Sequence, residues 1–281
     1  MSGRLLIGNP LNGPATSVIP RPPVVETALS VQFKPVKGLR NAHLGLFWQQ
    51  SRDSFPTVND AEPIESQEET FGGHRQRLPH FRFATGHQGA RLQMEARDGH
   101  MMIQLQNGRL VYNWRSLDDG LYPRWDRVLR EFLRALARFS GFLEAEGLPS
   151  IVPIQWEVTY VNRFVRGREW QENAEWTDVV PGLIGTASRL RTASLETVST
   201  NWHFVLPERV GRLHVDLTHG FAGPEDEAEE FLILQLTARG GIDEEKGHDL
   251  NWGLNTGRKA IVRSFSEITG KGVQTLWGRE R

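Results

Sequence analysis

The sequence predicts an α+β fold built from a duplicated β-α-β-β-β-α unit, with one curved antiparallel sheet and the long helices on one of its faces. Two long amphipathic segments, residues 122–147 and 251–269, have the apolar spacing of one helix face. Each follows a run of short segments in which apolar and polar residues alternate, as in strands with one buried face. The order of these segments is the same in both halves of the chain, although the residue identities differ.

Length and composition are ordinary for a folded protein. The 281 residues suffice for one large domain or two modest ones, and 24% are charged and 38% hydrophobic. The net charge of −1 provides no global basic field for nucleic acid. The absence of cysteine excludes disulfides, thiolate metal sites and cysteine nucleophiles. We predict no cofactor.

The N-terminal stretch, residues 1–23, contains Asn-Gly-Pro and Arg-Pro-Pro, which are turn-forming, and we predict a flexible arm there. Its apolar run, residues 5–7, is too short for a signal-peptide core. No apolar run reaches the ~20 residues of a membrane span, so we expect a cytoplasmic protein without a membrane partner.

The first half of the duplication, residues 24–150, opens with an alternating strand at residues 24–33. A short helix is predicted at residues 39–54, with Asn41 as its candidate N-cap. A long polar loop with short strands comes next. Three strands then follow at residues 91–97, 101–106 and 109–115. The two bends between these strands contain Asp-Gly and Asn-Gly pairs, which are typical of hairpin turns.

The long helix at residues 122–147 ends this half. Pro123 suits the first helical turn, where its missing N–H loses no bond. Gly147 can adopt the left-handed conformation that stops a helix. The residues predicted to face inward are Trp125, Val128, Leu129, Phe132, Leu133, Leu136, Phe139 and Leu143.

The second half, residues 151–281, repeats the same order with a strand at residues 154–164 and a short helix at residues 176–184. Three further strands are predicted at residues 195–206, 212–220 and 231–239. The final helix should direct Leu254, Ile261, Phe265 and Ile268 inward. Because hairpin-connected strands pair antiparallel, we expect the two half-sheets to join as one domain. This arrangement is similar to TATA-box-binding-like folds or to a helix-grip fold, neither of which fixes a function.

Several short motifs resemble one known family. They are Pro-Pro-Val-Val-Glu at residues 22–26, Tyr-Asn-Trp-Arg at 112–115, Tyr122-Pro123 before the long helix, Tyr-Val-Asn-Arg at 160–163, and the ending with Phe265, Thr269 and Trp277-Gly278. In these motifs the chain is similar to a sporadically distributed bacterial family of unknown function, from about Pro22 to the end. The resemblance supplies no activity or catalytic residues. The patchy distribution of the family implies mobile genes, which often serve conflict and defence.

One candidate site lies on the last three predicted strands. His214 and Asp216 share a strand face, and His203 and Arg239 join them if the neighbouring strands pair in register. A His/Asp pair can bind a metal or act as a base with its orienting carboxylate. The alternative is the polar, solvent-facing side of an antiparallel sheet. No third ligand is visible, so we predict no metal site.

A second candidate group consists of Asn113, Arg115, Asn162 and Arg163, which we place at strand ends beside the long helix. The arginines could bind a carboxylate or phosphate in a fork. Alternatively, the asparagines brace the backbone where the strands end.

The exposed back of the long helix carries a third group, an arginine stripe formed by Arg127, Arg130, Arg134 and Arg138. Such a stripe could bind anions or nucleic acid, or it is an ordinary solvated helix surface.

Catalytic motifs are missing from the sequence, which contains no Walker-type glycine loop, no Gly-x-Ser-x-Gly and no His-Glu-x-x-His. We therefore predict a non-catalytic binding or accessory protein of bacteria, which holds a partner protein or ligand on the curved sheet or in a cleft, in a defence or toxin-neutralising setting. The alternatives are a hydrolytic or metal-assisted enzyme at the His/Asp patch, and nucleic-acid binding through the arginine stripe.

Overall fold

The computed structural model describes residues 19–71, 89–117, 122–184, 190–224 and 228–279. Its core is a curved, unclosed, antiparallel sheet of nine strands with helices packed against it, which confirms the α+β class. The strands are β1 (Val24–Phe33), β2 (Thr57–Ala61), β3 (Arg91–Glu95), β4 (Met101–Gln106), β5 (Arg109–Arg115), β6 (Pro153–Val165), β7 (Ser199–Val205), β8 (Arg212–Ala222) and β9 (Glu229–Gly241). The helices are α1 (Asn41–Ser51), α2 (Trp125–Ala145), α3 (Trp176–Val179), α4 (Leu250–Ile268) and α5 (Lys271–Leu276).

The strand order reflects the predicted duplication. Strands β1 and β6, the first of each half, pair antiparallel at the centre of the sheet. From this pair the order runs outward as β5, β4 and β3 on one side, and as β9, β8 and β7 on the other. The first half adds the edge strand β2, which lies in the polar loop where we expected short strands without giving their bounds. Its position was not predicted because its five residues are mostly exposed and carry no apolar alternation.

Both long helices pack on the same face of the sheet. Helix α2 covers β5 and β1, and α4 covers β6 and β9. The ring of Phe33 lies 6.0 Å from that of Phe139 on α2, while Trp156 lies beneath α4. Val31, on the same side of β1 as Phe33, is the register partner of Trp156. The apolar sides of the two half-sheets therefore form one continuous core.

Helix α2 begins and ends close to the predicted positions, but its buried face is rotated slightly. Pro123 precedes the helix instead of occupying its first turn, and Gly147 has the predicted left-handed conformation with φ 66°. Leu133 is 36% exposed, whereas Phe142 is buried. A helix that packs on a sheet buries three to four residues per two turns, which is a wider stripe than two residues per heptad. Phe142 belongs to this buried stripe, and Leu133 lies outside it.

Two helix starts differ from prediction. Helix α1 is preceded by Arg40, and the Asn41 side chain instead accepts a hydrogen bond from Ala90 N at 3.1 Å. Asn41 is therefore not the N-cap, because a tertiary contact uses its oxygen. Helix α4 is capped by Asp249, whose carboxylate accepts from Trp252 N at 2.7 Å. The short helix predicted at residues 176–184 is only one turn long, and α5 was not predicted.

Most of the predicted N-terminal arm, residues 1–18, lies outside the described residues. Its end is held in place, because Arg21 N donates to Trp277 O and Arg163 N donates to Pro23 O. None of the helices in the described ranges is long and apolar enough to cross a membrane.

Close packing of α4 on the sheet depends on two glycines. Gly253 and Gly257 face Trp156, which is fully buried, and a Cβ at either position would overlap its indole ring. The helix interior normally disfavours glycine relative to alanine, so both residues are explained by the space that the indole needs.

Replacement of Gly253 by alanine should therefore destabilise the protein by about 1–3 kcal/mol, because the new methyl group forces α4 away from the sheet. The matched control is Gly141→Ala in α2, where nothing lies within 4 Å of the added Cβ. That change should stabilise the protein by about 0.5–1 kcal/mol. Urea unfolding midpoints measure both, and equal effects of the two substitutions would contradict this account.

Candidate functional site

The sheet face opposite the helices is polar and yet largely buried. Its side chains alternate with the core residues along each strand. Seven of those that the structure describes are buried, namely Ser30, Gln32, Gln104, Arg109, Asn113, Gln155 and Thr237. Polar groups removed from water are costly unless they are hydrogen-bonded. These buried side chains therefore need hydrogen-bond partners.

Some of these partners belong to a segment that crosses this face, residues 62–71, which we call the strap. It leaves the edge strand β2 and passes over the first half of the sheet. Glu62 O accepts a hydrogen bond from Arg91 Nε at 2.8 Å. Gln106 makes two bonds to Ile64, donating to its carbonyl and accepting from its N–H, both at 2.8 Å.

At the centre of the sheet the strap is bound by two further glutamines. Gln155 donates to Gln67 O at 2.6 Å and accepts from Glu69 N at 2.8 Å. Gln32 donates to the same carbonyl at 3.2 Å and accepts from Ser66 Oγ at 3.1 Å. A side-chain amide carries both donor and acceptor, so it can satisfy an extended main chain in this way.

The three glutamines lie on one row across the sheet. Gln32 and Gln155 are register partners in the central β1–β6 pair, and Gln106 is two strands away, with Arg109 of β5 between it and Gln32. The row runs over the neighbouring strands β4, β5, β1 and β6, which are about 4.8 Å apart. Since β6 belongs to the second half of the duplication, the row spans both halves. The strap therefore crosses the seam between the halves.

Beyond the seam, the carboxylate of Glu69 enters a cationic site on β8 and β9. Its Oε1 lies 2.6 Å from His214 Nε2 and 3.1 Å from Arg239 Nε, and its Oε2 pairs with Arg212. Burial alone raises the pKa of Glu69, but the hydrogen bond and charge of His214, together with both arginines, hold that pKa below its ordinary value. Glu69 is therefore ionised at neutral pH.

A second carboxylate, Glu157 of β6, lies beside this site. Arg239 Nη1 is 3.3 Å and Arg109 Nη1 is 3.6 Å from its oxygens. Burial lowers the pKa of Arg109, and its Nη2 is buried without a hydrogen-bond partner. Three guanidiniums thus face two carboxylates, one of which, that of Glu69, belongs to the strap.

The predicted His/Asp patch is brought together by the structure. The His203 and His214 rings are directly opposite on β7 and β8, with centroids 4.5 Å apart. Burial, and then the neighbouring His214, lower the pKa of His203. Asp216 is one alternating position further along β8, opposite Asn201. Within the described ranges, no group of three His, Asp or Glu side chains could hold a metal ion.

The second predicted group is divided between the two faces of the sheet. Arg115 pairs with Glu95, Arg163 pairs with Glu229, and the Asn113 amide donates to Glu26, all on the polar face. Asn162 is on the helix side, where it donates to Leu234 O at 3.1 Å. A bulge in the pairing of β1 with β6 near Val24 accompanies this position. The four residues do not form one site.

The arginine stripe is exposed on the back of α2, as expected. Arg134 pairs with Glu131 at 2.7 Å, and Arg138 Nη1 donates to Ser51 Oγ at 3.4 Å. Arg127 and Arg130 are also exposed.

Sequence reasoning missed the strap and its carboxylate. Residues 62–71 have neither helical nor strand periodicity, and Glu69 is one of several acidic residues there. The available signal was the presence of glutamines at positions that face away from the core on β1, β4 and β6. Three further histidines of the polar loop, at positions 74, 80 and 87, lie outside the described residues.

Comparison with known proteins assigns no family. No protein-family model matches the chain, and no curated protein matches it.

Neutralising the strap carboxylate with Glu69→Gln should destabilise the protein by about 3 kcal/mol at neutral pH, because Arg212 and Arg239 lose their partner in a buried site. The pKa of Glu69 is lowered on folding, so its contribution is complete above pH 4.5 and is lost as pH falls through the lowered value. The difference between variant and wild type should therefore vanish in acid.

Urea unfolding at several pH values measures this difference, and hydrogen exchange of the strap amides localises it. Glu68→Gln is the matched control, since Glu68 is the exposed neighbour in the same segment. A Glu69→Gln effect that is small, or unchanged at low pH, would contradict the assignment.

Proposed function

We propose that this protein is a non-catalytic binding protein whose polar sheet face holds an extended acidic segment of a partner protein. The observation that carries the proposal is the way the strap is bound. Glutamines from three strands contact its main chain, and one carboxylate enters the site formed by Arg212, His214 and Arg239.

This mode of contact suits recognition of a peptide. Hydrogen bonds to main-chain groups provide affinity for any extended segment, while a pocket for one side chain provides specificity. The glutamine row lies in β4, β1 and β6, and the carboxylate site lies in β8 and β9. All five strands are interior to the sheet, so the binding surface is rigid. Rigid surfaces lose little entropy when a partner binds.

The strap is then the chain's own occupant of the surface. Because the strap is covalently attached, it competes with a partner segment as an intramolecular ligand. Its effective concentration is in the millimolar range for short connections. A partner segment must therefore bind the surface more tightly than the strap does, or bind after the strap has left the surface. Without Glu69, Arg109 and Arg239 still lie beside Glu157 and Arg212 no longer has the Glu69 carboxylate, which favours an acidic partner.

The proposal is preferred over hydrolysis at the histidine pair. His214 Nε2 is already held by Glu69, and Arg239 Nε lies 3.2 Å from the same nitrogen, so this atom has no room to act as a base. The bacterial setting and a role in defence or toxin neutralisation belong to the same proposal and rest on the family resemblance. The proposed cytoplasmic location rests on the short apolar runs of the sequence.

A labelled peptide with the strap sequence Glu-Pro-Ile-Glu-Ser-Gln-Glu-Glu-Thr-Phe tests the proposal. It should bind the Glu69→Gln protein at least tenfold more tightly than wild type, because the weakened strap competes less. Fluorescence anisotropy measures binding, and circular dichroism confirms that the variant is folded.

Two changes define the site in this assay. Adding Arg212→Gln to the Glu69→Gln protein should weaken peptide binding about tenfold, because Arg212 contacts the strap through Glu69, Thr70 and Phe71. Adding Arg134→Gln on the opposite side should have no effect. Absence of saturable peptide binding to the folded Glu69→Gln protein would refute the proposal.

A further inference from the structure

A cavity of about 400 Å³ lies on the helix side of the sheet, away from the strap. It is bounded by the start of α2, the second half of α4 and the seam between β1 and β6. Apolar groups form most of its wall, among them Ile19, Val24, Trp125, Ile261, Val262 and Phe265. The volume falls within the range of about 300–1,000 Å³ that is usual for small-molecule sites.

Positive charge dominates the ionisable groups of this cavity. Among the described residues that line it, Arg124, Arg258, Lys259 and Arg263 are cationic and Asp126 is acidic. The first residues of the 21-residue helix α2 also lie at the wall, and no side chain caps that end of the helix. The positive end of the helix dipole adds to the field of the four cations.

Arg258 is the cation best placed to hold a ligand. Its guanidinium lies 5.7 Å from the centre of the Trp125 ring, within the distance of a cation–π contact. Among the described residues its buried Nε atom has no hydrogen-bond partner, while the Arg258 side chain also acts on the Tyr160 hydroxyl and opposes the effect of burial on the pKa of that phenol. Buried donors in folded proteins nearly always have a partner, so this one calls for an acceptor.

The polar part of the floor is neutral. The hydroxyls of Tyr122 and Tyr160 are 2.8 Å apart and bond to each other. Burial raises the pKa of both phenols above the ordinary value, so neither contributes negative charge at neutral pH. The two phenols therefore place no negative charge beside Arg258.

We propose that the cavity binds a small amphipathic carboxylate. The carboxylate accepts hydrogen bonds from Arg258 near the start of α2, and the apolar body of the ligand lies against Trp125, Ile261 and Phe265. A guanidinium provides parallel donors that match a carboxylate. An apolar body is required because the rest of the wall offers few polar partners. This site is independent of the strap surface, which occupies the other face of the sheet.

Decanoate is a suitable probe, and 1-decanol is its uncharged control. Isothermal titration calorimetry of the full chain should show one decanoate per protein, bound at least tenfold more tightly than decanol. Arg258→Met should remove this preference by weakening decanoate about tenfold or more while leaving decanol nearly unchanged. Arg134→Met, the same charge change on the exposed back of α2, should alter neither ligand.

A second variant tests the cavity itself without changing its charge. Ser266 lines the cavity, and Ser266→Leu should occupy part of its volume and weaken binding of both ligands. The proposal is overturned if decanoate binding is not saturable, if decanol binds equally well, or if the preference survives in Arg258→Met. Should Arg258→Met not fold, full decanoate affinity in Ser266→Leu overturns it.

Discussion

The pairing of β1 with β6 is the constraint on which both faces of this protein depend. In this pair Val31 is opposite Trp156, and the next position places Gln32 opposite Gln155. The first pair belongs to the core beneath the helices, and the second binds the strap. Because side chains alternate along a strand, a slip of one residue would exchange the two sets. The indole of Trp156 packs closely against two glycines of α4. This close fit opposes the slip, because the indole needs the space that the two glycines leave.

The polar face shows how charge can be buried in a stable sheet. Glu69 and Glu157 lie between Arg109, Arg212 and Arg239, and the attraction between them offsets part of the cost of removing these groups from water. One of the two carboxylates comes from a segment outside the sheet. Binding of that segment, or of a partner with similar charge, is therefore coupled to the electrostatic balance of the sheet itself.

The duplication places the two proposed sites over the same pair of strands, on opposite faces of the sheet. The strap crosses the β1–β6 seam on one face, and the amphipathic cavity lies over the same seam on the other. Each site uses residues from both halves, as Gln32 and Gln155 do for the strap. A single half would therefore provide neither surface, which gives a physical reason for the two halves to form one sheet.

The sequence by itself determined the elements that depend on local patterns. Alternation located β1 and β4 to β6 closely, the Asp-Gly and Asn-Gly pairs located the hairpins, and helical spacing located α2 and α4. The polar patch with His203 and His214 followed from register, because antiparallel neighbours share a face. The bounds of edge strand β2 were not predicted, and the predicted cap of α1 was wrong, since exposure decides the first and a distant contact the second.

Only the tertiary structure decided the partners of these residues. Glu69 is 143 positions from Arg212 and 145 from His214, and no local pattern relates such residues. The same holds for Arg258, which meets Trp125 only after the halves join. Periodicity reports which side of an element is buried. It carries no information about which distant side chain covers it, because that depends on how the two halves of the sheet join and on which segments cross its faces.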